Sequence, residues 1–349
     1  MSETEASPLS PAPLMQIVSG FWAAKTLASA QELDIFSKLS GNKGATPSEI
    51  AQILGLEDRP AELLVTACAG LGLLEVADGR YFNSALSENF LVRGRPYYFG
   101  AWVEFADHQD FPAWMRLTEA LRTNQPTGWD PKEQDTIFVE SSDVMLTRFW
   151  QGMHSLSVFT ARTLGQTVDF TGVKALLDVG GGGAAYDIEL CRQYPHLRAA
   201  VFDLPFVCDL THTKISEVGM SERILTVPGD FFGDQELPTG YDAILLSMIL
   251  HDWGESEGRL LLGKCFEALP PGGQVLISEL LVNDQKDGPA DAALMGLAML
   301  VETTDGRNYT GAEYQEWLRD AGFTDIEVIR FAAPGANGVV RARKPAVTG

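Results

Sequence analysis

The second half of the chain alternates apolar runs of strand length with helical stretches, and this alternation constrains the fold more than any other feature. Successive runs lie about 20 to 30 residues apart. They occupy residues 175–179, 199–203, 224–227, 243–249 and 275–281. Strands at this spacing with helices between them predict βαβ units and a parallel sheet that is buried on both faces.

Two further apolar runs follow a helix predicted at residues 311–320. The runs cover residues 326–331 and 338–342, and they are joined by Pro334-Gly335-Ala336-Asn337. A short connection of this composition predicts an antiparallel hairpin at the edge of the sheet. The predicted fold class is therefore α/β, with a Rossmann-like sheet.

The first part of the chain, from about residue 14 to residue 95, has a helical pattern. Thr46-Pro47-Ser48-Glu49 is typical of a helix start, and a second helix is predicted over residues 59–70. Residues 72–82 then read as two short strands that turn at Asp78-Gly79. Helix, turn, helix and hairpin together predict a winged-helix unit.

DNA binding is the usual function of a winged helix, but the charges disfavour it here. Residues 59–71 contain one Arg and no Lys, whereas a recognition helix needs cations for phosphates and polar tips for base edges. The whole chain has 26 Lys and Arg against 47 Asp and Glu, a net charge of −21, which repels nucleic acid and anionic lipid surfaces. We therefore expect a structural or dimerising role for this unit, and neither a nucleic-acid nor a membrane partner.

Length and cysteine usage indicate the domain count and the compartment. The 349 residues correspond to about two domains, which we divide into 14–165 and 166–345. The four cysteines form no CxxC pair, as is typical of buried thiols in a reducing compartment. The first 14 residues contain no Lys or Arg, which argues against a signal or transit peptide, and no apolar run reaches membrane-spanning length. We expect a cytoplasmic protein.

A run of glycines follows the first strand of the sheet, from Gly180 to Gly183. Glycines here allow the backbone to pass close to a ligand and to start the next helix tightly. Gly180, Gly182 and Ala185 fit the GxGxxG/A pattern of dinucleotide-binding enzymes. Asp178 disfavours a pyrophosphate, however, because it places a negative charge two residues before the loop, and the terminal hairpin is foreign to that fold.

Carboxylates at the ends of three successive strands favour a cationic ligand instead. S-adenosylmethionine carries an ammonium and a sulfonium group and no phosphate, so it suits Asp178. Asp203 is placed to accept hydrogen bonds from ribose hydroxyls. Asp230 can accept one from an adenine amino group, while Phe231 packs on the ring. These residues predict S-adenosylmethionine as the cofactor and S-adenosylhomocysteine as its product.

His251 follows the fourth strand, at the edge where open α/β sheets bind their ligands. An imidazole there can remove a proton from a substrate hydroxyl near neutral pH, and the oxygen can then attack the methyl group. A histidine base needs its other nitrogen held, usually by a carboxylate. Glu279, at the end of the fifth strand, can hold it.

Five short motifs point to a known family. They are Leu-Asp-Val-Gly-Gly-Gly at 177–182, Phe-Asp-Leu-Pro at 202–205, Gly-Asp-Phe-Phe at 229–232, Leu-His-Asp-Trp at 250–253 and Pro-Gly-Gly at 271–273. On these motifs the chain, from residue 14 to residue 345, resembles the class I S-adenosylmethionine-dependent O-methyltransferases of the plant caffeic-acid and acetylserotonin type and their bacterial natural-product relatives. The resemblance implies a seven-stranded catalytic sheet and a winged-helix domain that forms a homodimer.

The resemblance also implies roles for individual residues. The matching His is the general base of the family and the matching Glu holds it, in agreement with the roles inferred above for His251 and Glu279. The candidate cofactor-binding residues are Asp178, Gly180, Gly182, Asp203, Leu204, Gly229, Asp230, Phe231, Ser247 and Trp253.

Three positions depart from the family pattern. Asn308 stands where the family has a second glutamate partner of the base, so we retain it as a catalytic candidate that can accept a hydrogen bond but cannot stabilise an imidazolium by charge. Ser247 stands where many plant members have a lysine, and Ala184 replaces the last glycine of the loop. Neither of the latter changes is expected to abolish cofactor binding.

The resemblance points to a substrate pocket formed from two separate segments. Its candidate residues are Met153, His154, Met295, Met299, Glu302 and Thr303. If Glu302 faces the pocket, it favours a substrate with a hydrogen-bond donor or a positive charge. The five histidines are widely separated, so we expect no metal.

These observations predict methyl transfer from S-adenosylmethionine to a hydroxyl, expected to be phenolic, of a small secondary metabolite. Two alternatives remain open. One is an enzyme of the same fold that methylates nitrogen or carbon, for example on an enolisable keto acid. The other is a winged-helix regulator that binds the cofactor without catalysis, which the presence of both His251 and Glu279 disfavours.

Overall fold

The computed structural model describes residues 10–132 and 143–346. The chain forms two compact units, the first ending at Asp107 and the second beginning at His108. No helix among the described residues is long and apolar enough to cross a membrane. Cys68, Cys191, Cys208 and Cys265 are all buried and unpaired.

The first unit contains the predicted helices and hairpin. Its elements are α1 (Ala12–Val18), α2 (Gly20–Glu32), α3 (Ile35–Leu39), α4 (Pro47–Leu54), α5 (Asp58–Gly70), β1 (Leu74–Ala77), β2 (Arg80–Asn83), α6 (Ala85–Phe90) and α7 (Gly100–Phe105). Helix α4 begins where its sequence indicates, because Thr46 and Glu49 form a reciprocal capping box, and it ends at Gly55 with a φ of +68°. The antiparallel pair of β1 and β2 completes the winged-helix arrangement.

A π-helical turn, Ala106–Asp110, leads into the second unit. The elements that follow are α8 (Phe111–Trp114), α9 (Leu117–Thr123), α10 (Asp143–Thr167), β3 (Ala175–Val179), α11 (Ala185–Gln193), β4 (Arg198–Asp203), α12 (Pro205–Glu217), β5 (Ile224–Pro228), β6 (Ala243–Ser247), a 3-10 turn (Leu250–Asp252), α13 (Glu255–Ala268), β7 (Gln274–Glu279), α14 (Ala290–Glu302), α15 (Gly311–Asp320), β8 (Thr324–Arg330) and β9 (Gly338–Arg343).

The predicted seven-stranded sheet is confirmed, with the strand order β5-β4-β3-β6-β7-β9-β8. The first five strands in this order are parallel, and β9 pairs antiparallel with both β7 and β8, as the sequence predicts for a terminal hairpin. The five parallel strands all end at the same edge of the sheet. This carboxyl edge therefore brings together Asp203, Ser247 and Glu279, which lie at the ends of β4, β6 and β7.

Both faces of the sheet are covered by helices, which explains the continuous apolar runs in the sequence. Leu177 and Val179 of β3 lie in one buried cluster with Trp317 of α15. Leu176 lies in a cluster on the opposite face, with Leu164 of α10 and other residues. Because α10 packs on the sheet in this way, the structure groups it with the second unit, whereas the sequence division at residue 165 groups it with the first.

Candidate active site

The glycine loop after β3 has a backbone conformation that few side chains permit. Gly180 and Gly182 have φ angles of +72° and +52°, and Ala184 follows at +57°. A Cβ atom at Gly180 would lie 2.4 Å from Ile249 Cδ1, and one at Gly182 would lie 2.8 Å from Trp150 Cζ3. Conformation and space both require these two glycines, whereas Ala184 adopts the left-handed conformation despite its side chain.

Three side chains from different elements hold the loop by its backbone. Asp203 Oδ2 accepts a hydrogen bond from Gly182 N at 2.9 Å, and Thr211 Oγ1 donates to the Gly182 carbonyl. His154 Nδ1 lies 3.1 Å from Gly183 O. Burial lowers the pKa of His154 to about 4, so its ring is neutral at physiological pH and donates to this carbonyl. The sequence indicates His154 only as a pocket residue and gives no sign of Thr211.

Two predicted cofactor carboxylates lie beside this loop. Asp178 is completely buried, and a Cβ atom at Gly181 would lie 2.7 Å from its Cγ. Asp203 is also buried, and its Oδ1 accepts from Leu204 N at 2.7 Å. Burial raises the pKa of Asp203 to about 6. Carboxyl groups around a glycine loop fit the ribose hydroxyls and the ammonium group of S-adenosylmethionine, so the residues present are compatible with this cofactor.

The predicted adenine side of the site is an aromatic cluster after β5. Phe231 and Phe232 pack edge to face at 4.8 Å between ring centroids, and Phe232 and Trp253 do so at 4.7 Å. Asp230 is exposed, and its Oδ1 accepts from Phe232 N at 2.8 Å. Lys264, which the sequence analysis does not identify, donates from Nζ to Phe231 O at 2.8 Å and so fixes the cluster from α13.

Two other predicted cofactor residues also lie at the carboxyl edge of the sheet. Gly229 follows β5, and a Cβ atom there would lie only 2.2 Å from Phe202 Cε2. Ser247 is buried at the end of β6. The structure therefore places the predicted cofactor residues along one edge of the sheet.

His251 and Glu279 form a buried hydrogen-bonded pair at the same edge. His251 Nδ1 lies 2.5 Å from Glu279 Oε2, and both residues are less than 5% exposed. The other carboxylate oxygen, Oε1, accepts hydrogen bonds from Ile249 N and Leu250 N, each at 3.1 Å. Glu279 is thus fixed by the 3-10 turn that carries the histidine, and it sets the orientation of the ring.

Asp252 is a third member of this group that the sequence analysis does not single out, although it stands in the Leu-His-Asp-Trp motif. Its Oδ1 lies 3.4 Å from His251 Nε2. Burial alone would lower the pKa of His251, but the negative charges of Glu279 and Asp252 outweigh it and raise that pKa to about 9. Burial raises the pKa of Asp252 to about 6, although the charge of His251 opposes the change.

Asn308 does not hydrogen-bond to His251 among the described contacts. Its Nδ2 instead donates to Leu280 O at 2.7 Å, and its Oδ1 is buried without a hydrogen-bond partner. The side-chain amide of Asn308 therefore binds the Leu280 carbonyl, just after β7, rather than His251, the partner expected from the sequence. Glu279 and Asp252 are the carboxylates that face the imidazole.

The predicted substrate residues have different surroundings. Thr303 Oγ1 donates to Met299 O at 2.7 Å and accepts from Gly306 N at 2.9 Å, so its hydroxyl closes the end of α14. Met299 is buried, and Met295 is partly buried against the cluster of Leu280, Val282 and Ala292. Met153 is partly buried on α10.

Glu302 lies in a group of acidic side chains that includes Asp252. Burial, together with the carboxyl groups of Asp110 and Asp252, raises the pKa of Glu302 to about 8. Burial raises the pKa of Asp110 to about 7. Trp129 Nε1 donates to Glu302 O at 2.5 Å and holds the end of α14. In the part of the chain that the structure describes, no group of three or more His, Cys, Asp or Glu could hold a metal ion.

Family models and individual relatives match nearly the whole chain. Residues 114–324 match the O-methyltransferase domain, and residues 15–93 match the O-methyltransferase dimerisation domain. A 3-hydroxy-5-methyl-1-naphthoate 3-O-methyltransferase of Streptomyces sahachiroi is 51% identical over 96% of this chain and 95% of its own. An L-tyrosine C(3)-methyltransferase of Streptomyces lavendulae is 34% identical over 98% of this chain and 95% of its own.

A solved structure shows the same fold with the predicted cofactor. The human N-acetylserotonin methyltransferase in complex with S-adenosylmethionine has a TM-score of 0.86 and 26% identity, covering 99% of this chain and 100% of that one. The predicted family, fold class, enzymatic nature and cofactor are thereby confirmed. By its fold, by its glycine loop and by these matches, the chain belongs to the S-adenosylmethionine-dependent O-methyltransferases.

Proposed function

We propose that the protein methylates a phenolic hydroxyl of a small aromatic natural product, and that it acts as a homodimer. The observation that carries the proposal is the buried pair of His251 and Glu279, at the same sheet edge as the cofactor residues. The named activity of the relative from Streptomyces sahachiroi, on a hydroxyl of a naphthoate, supports an aromatic acceptor.

The proposed mechanism uses the fixed orientation of the imidazole. Because Glu279 accepts a hydrogen bond from Nδ1, the neutral ring of His251 has its lone pair on Nε2. Nε2 removes the proton of the acceptor hydroxyl as the oxygen forms its bond to the methyl carbon. S-adenosylmethionine supplies that methyl group on a positively charged sulfur, and the breaking of the carbon–sulfur bond leaves S-adenosylhomocysteine. His251 then returns its proton to solvent.

Glu302 is the polar group that we assign to the acceptor side. Its raised pKa keeps a proton on the carboxyl group near neutral pH, so the side chain can donate a hydrogen bond to an oxygen of the acceptor. Met153, Met295 and Met299 are proposed as adaptable apolar walls for a flat ring. Thr303, whose hydroxyl is used within α14, is proposed to contact the acceptor only through its methyl group.

An exposed apolar surface in the first unit supports the homodimer. It includes large apolar side chains of α1 and α2, such as Ile17, which is 76% exposed, and Trp22, which is 58% exposed. Large apolar side chains grouped in this way favour a protein partner. The match to the dimerisation domain begins in the same segment, at residue 15.

The acceptor class can be tested with methyl-labelled S-adenosylmethionine and a set of hydroxynaphthoates, simple phenols, aromatic amines and keto acids. We expect label in a hydroxynaphthoate or another phenol, on oxygen, as read by mass spectrometry and by the carbon shift of the methyl group. Label on a ring carbon would instead favour the chemistry named for the relative from Streptomyces lavendulae. Label only on amines or keto acids would overturn the proposal.

A further inference from the structure

Two buried carboxyl groups lie at the two ends of the glycine loop. Asp178 is the fourth residue of β3, and Asp187 lies in the first turn of α11. Both side chains are 0% exposed, and no other residue within 10–132 or 143–346 donates a hydrogen bond to any of their four oxygens. The two groups lie within hydrogen-bonding reach of each other. Two ionised carboxylates cannot hydrogen-bond to each other, so this contact requires a shared proton.

In the described part of the chain, no Lys, Arg or His compensates the negative charge of the pair. Asp203 faces Asp178 from the end of β4 and adds to the negative charge. On α11, Tyr186 faces Asp178 and Cys191 faces Asp187. Arg223 interacts electrostatically with the Cys191 thiol. Burial and mutual repulsion raise the pKa of Asp178 well above its usual range, and burial raises that of Asp187 to about 7.

The fold does not explain why an acid occupies position 187. Its neighbours Tyr186, Ile188 and Leu190 are apolar residues buried in the core. Two ionised carboxylates in such a position oppose folding, so the pair holds a proton unless a cation binds beside it. The cofactor carries an ammonium group, and the N-terminal turn of α11 tolerates negative charge at Asp187.

We propose that Asp187 is a second acidic cofactor-recognition residue, which shares one proton with Asp178 in the free protein. Binding of the ammonium group of the cofactor at the glycine loop favours the fully ionised pair, and the shared proton leaves to solvent. The inference rests on the cofactor named in the proposed function and is independent of the acceptor.

The proton can be counted by calorimetry. S-adenosylhomocysteine, which keeps the ammonium group, is titrated into the full chain between pH 6 and pH 8 in buffers of different ionisation enthalpy. For the wild type we expect net proton release and an affinity that rises about ten-fold over this range. For Asp187→Asn we expect the affinity to rise about three-fold or less over the same pH range, because only Asp203 then loses a proton on binding. The Asn amide can replace the shared proton as a hydrogen-bond donor to Asp178.

Matched controls separate recognition from a structural role. Asp209→Asn, an exposed position on α12, should behave as the wild type does. 5′-Methylthioadenosine lacks the ammonium group and should bind with equal proton release to the wild type and to Asp187→Asn. Asp187→Leu should raise Tm, because it removes a buried acid, and should weaken the binding of S-adenosylhomocysteine.

Several outcomes would overturn the inference. Equal proton release by the wild type and Asp187→Asn would do so, as would equal release with 5′-methylthioadenosine and S-adenosylhomocysteine in the wild type. An Asp187→Leu protein with a higher Tm and unchanged affinity would show that Asp187 has no part in recognition. If the wild type does not bind S-adenosylhomocysteine at all, the assignment of the cofactor fails as well. This outcome distinguishes a failure of the cofactor assignment from a failure of the role proposed for Asp187.

Discussion

Replacement of His251 by Asn is expected to lower kcat about 1,000-fold with a phenolic acceptor, because it removes the nitrogen that accepts the hydroxyl proton. The affinity for S-adenosylhomocysteine should stay within about two-fold, because the polar contacts of the His251 side chain are to Glu279 and Asp252 and not to the glycine loop. Single-turnover rates and calorimetry with the product measure the two quantities separately.

The residual activity of the His251→Asn protein provides a further check. It should rise with pH as the acceptor hydroxyl ionises without help from the protein. His212→Asn, an exposed change on α12, serves as the control and should leave kcat unchanged. A His251→Asn enzyme that retains more than a tenth of the wild-type kcat would exclude the proposed base.

Glu279→Gln is expected to lower kcat by about 100-fold to 10,000-fold, as happens when a base histidine loses its orienting carboxylate. All three hydrogen-bond partners of this carboxylate are donors, namely Ile249 N, Leu250 N and His251 Nδ1. An amide has one acceptor oxygen, so in either orientation its NH₂ group faces a donor. If it faces Nδ1, it favours the tautomer in which Nε2 carries the proton and cannot accept another.

The same substitution should reduce stability. Removal of one partner of a buried charged pair costs about 3 kcal/mol or more of the free energy of unfolding. Denaturant unfolding measures this loss, with Glu267→Gln on the exposed side of α13 as the control. Wild-type values of kcat and of stability in the Glu279→Gln protein would contradict the assigned geometry.

The sheet could be predicted from the sequence because both of its faces are buried. The run at 175–179 corresponds to β3, and the hairpin of β8 and β9 lies where the turn residues indicate it. The run at 243–249 is longer than β6, which ends at Ser247, because Met248 adopts a φ of 54° and turns the chain into the 3-10 helix. Apolar character alone cannot show this turn, although it is what presents His251.

The site was only partly predictable for a related reason. The pairing of His251 with Glu279 could be predicted because the strands beside them, β6 and β7, are neighbours in the expected sheet order, as the structure shows. Thr211 acts through a contact with a distant segment, and Asp187 through its contact with Asp178, and neither carries a local pattern that distinguishes it. Asn308 is the opposite case. Its position in a motif predicts a hydrogen bond to His251, whereas its amide donates to Leu280 O.

The most direct test of the central claim is the pH dependence of kcat/KM for the wild type and Glu279→Gln with the same phenolic acceptor, so that the ionisation of the acceptor is common to both. A protonated His251 cannot act as a base, so the wild-type value should rise with pH, with the midpoint of the rise near pH 9. In Glu279→Gln the loss of the negative charge lowers the pKa of His251, and the rise should move down by at least about one pH unit. A rise at the same pH in both proteins, or no rise in the wild type, would contradict His251 as the general base.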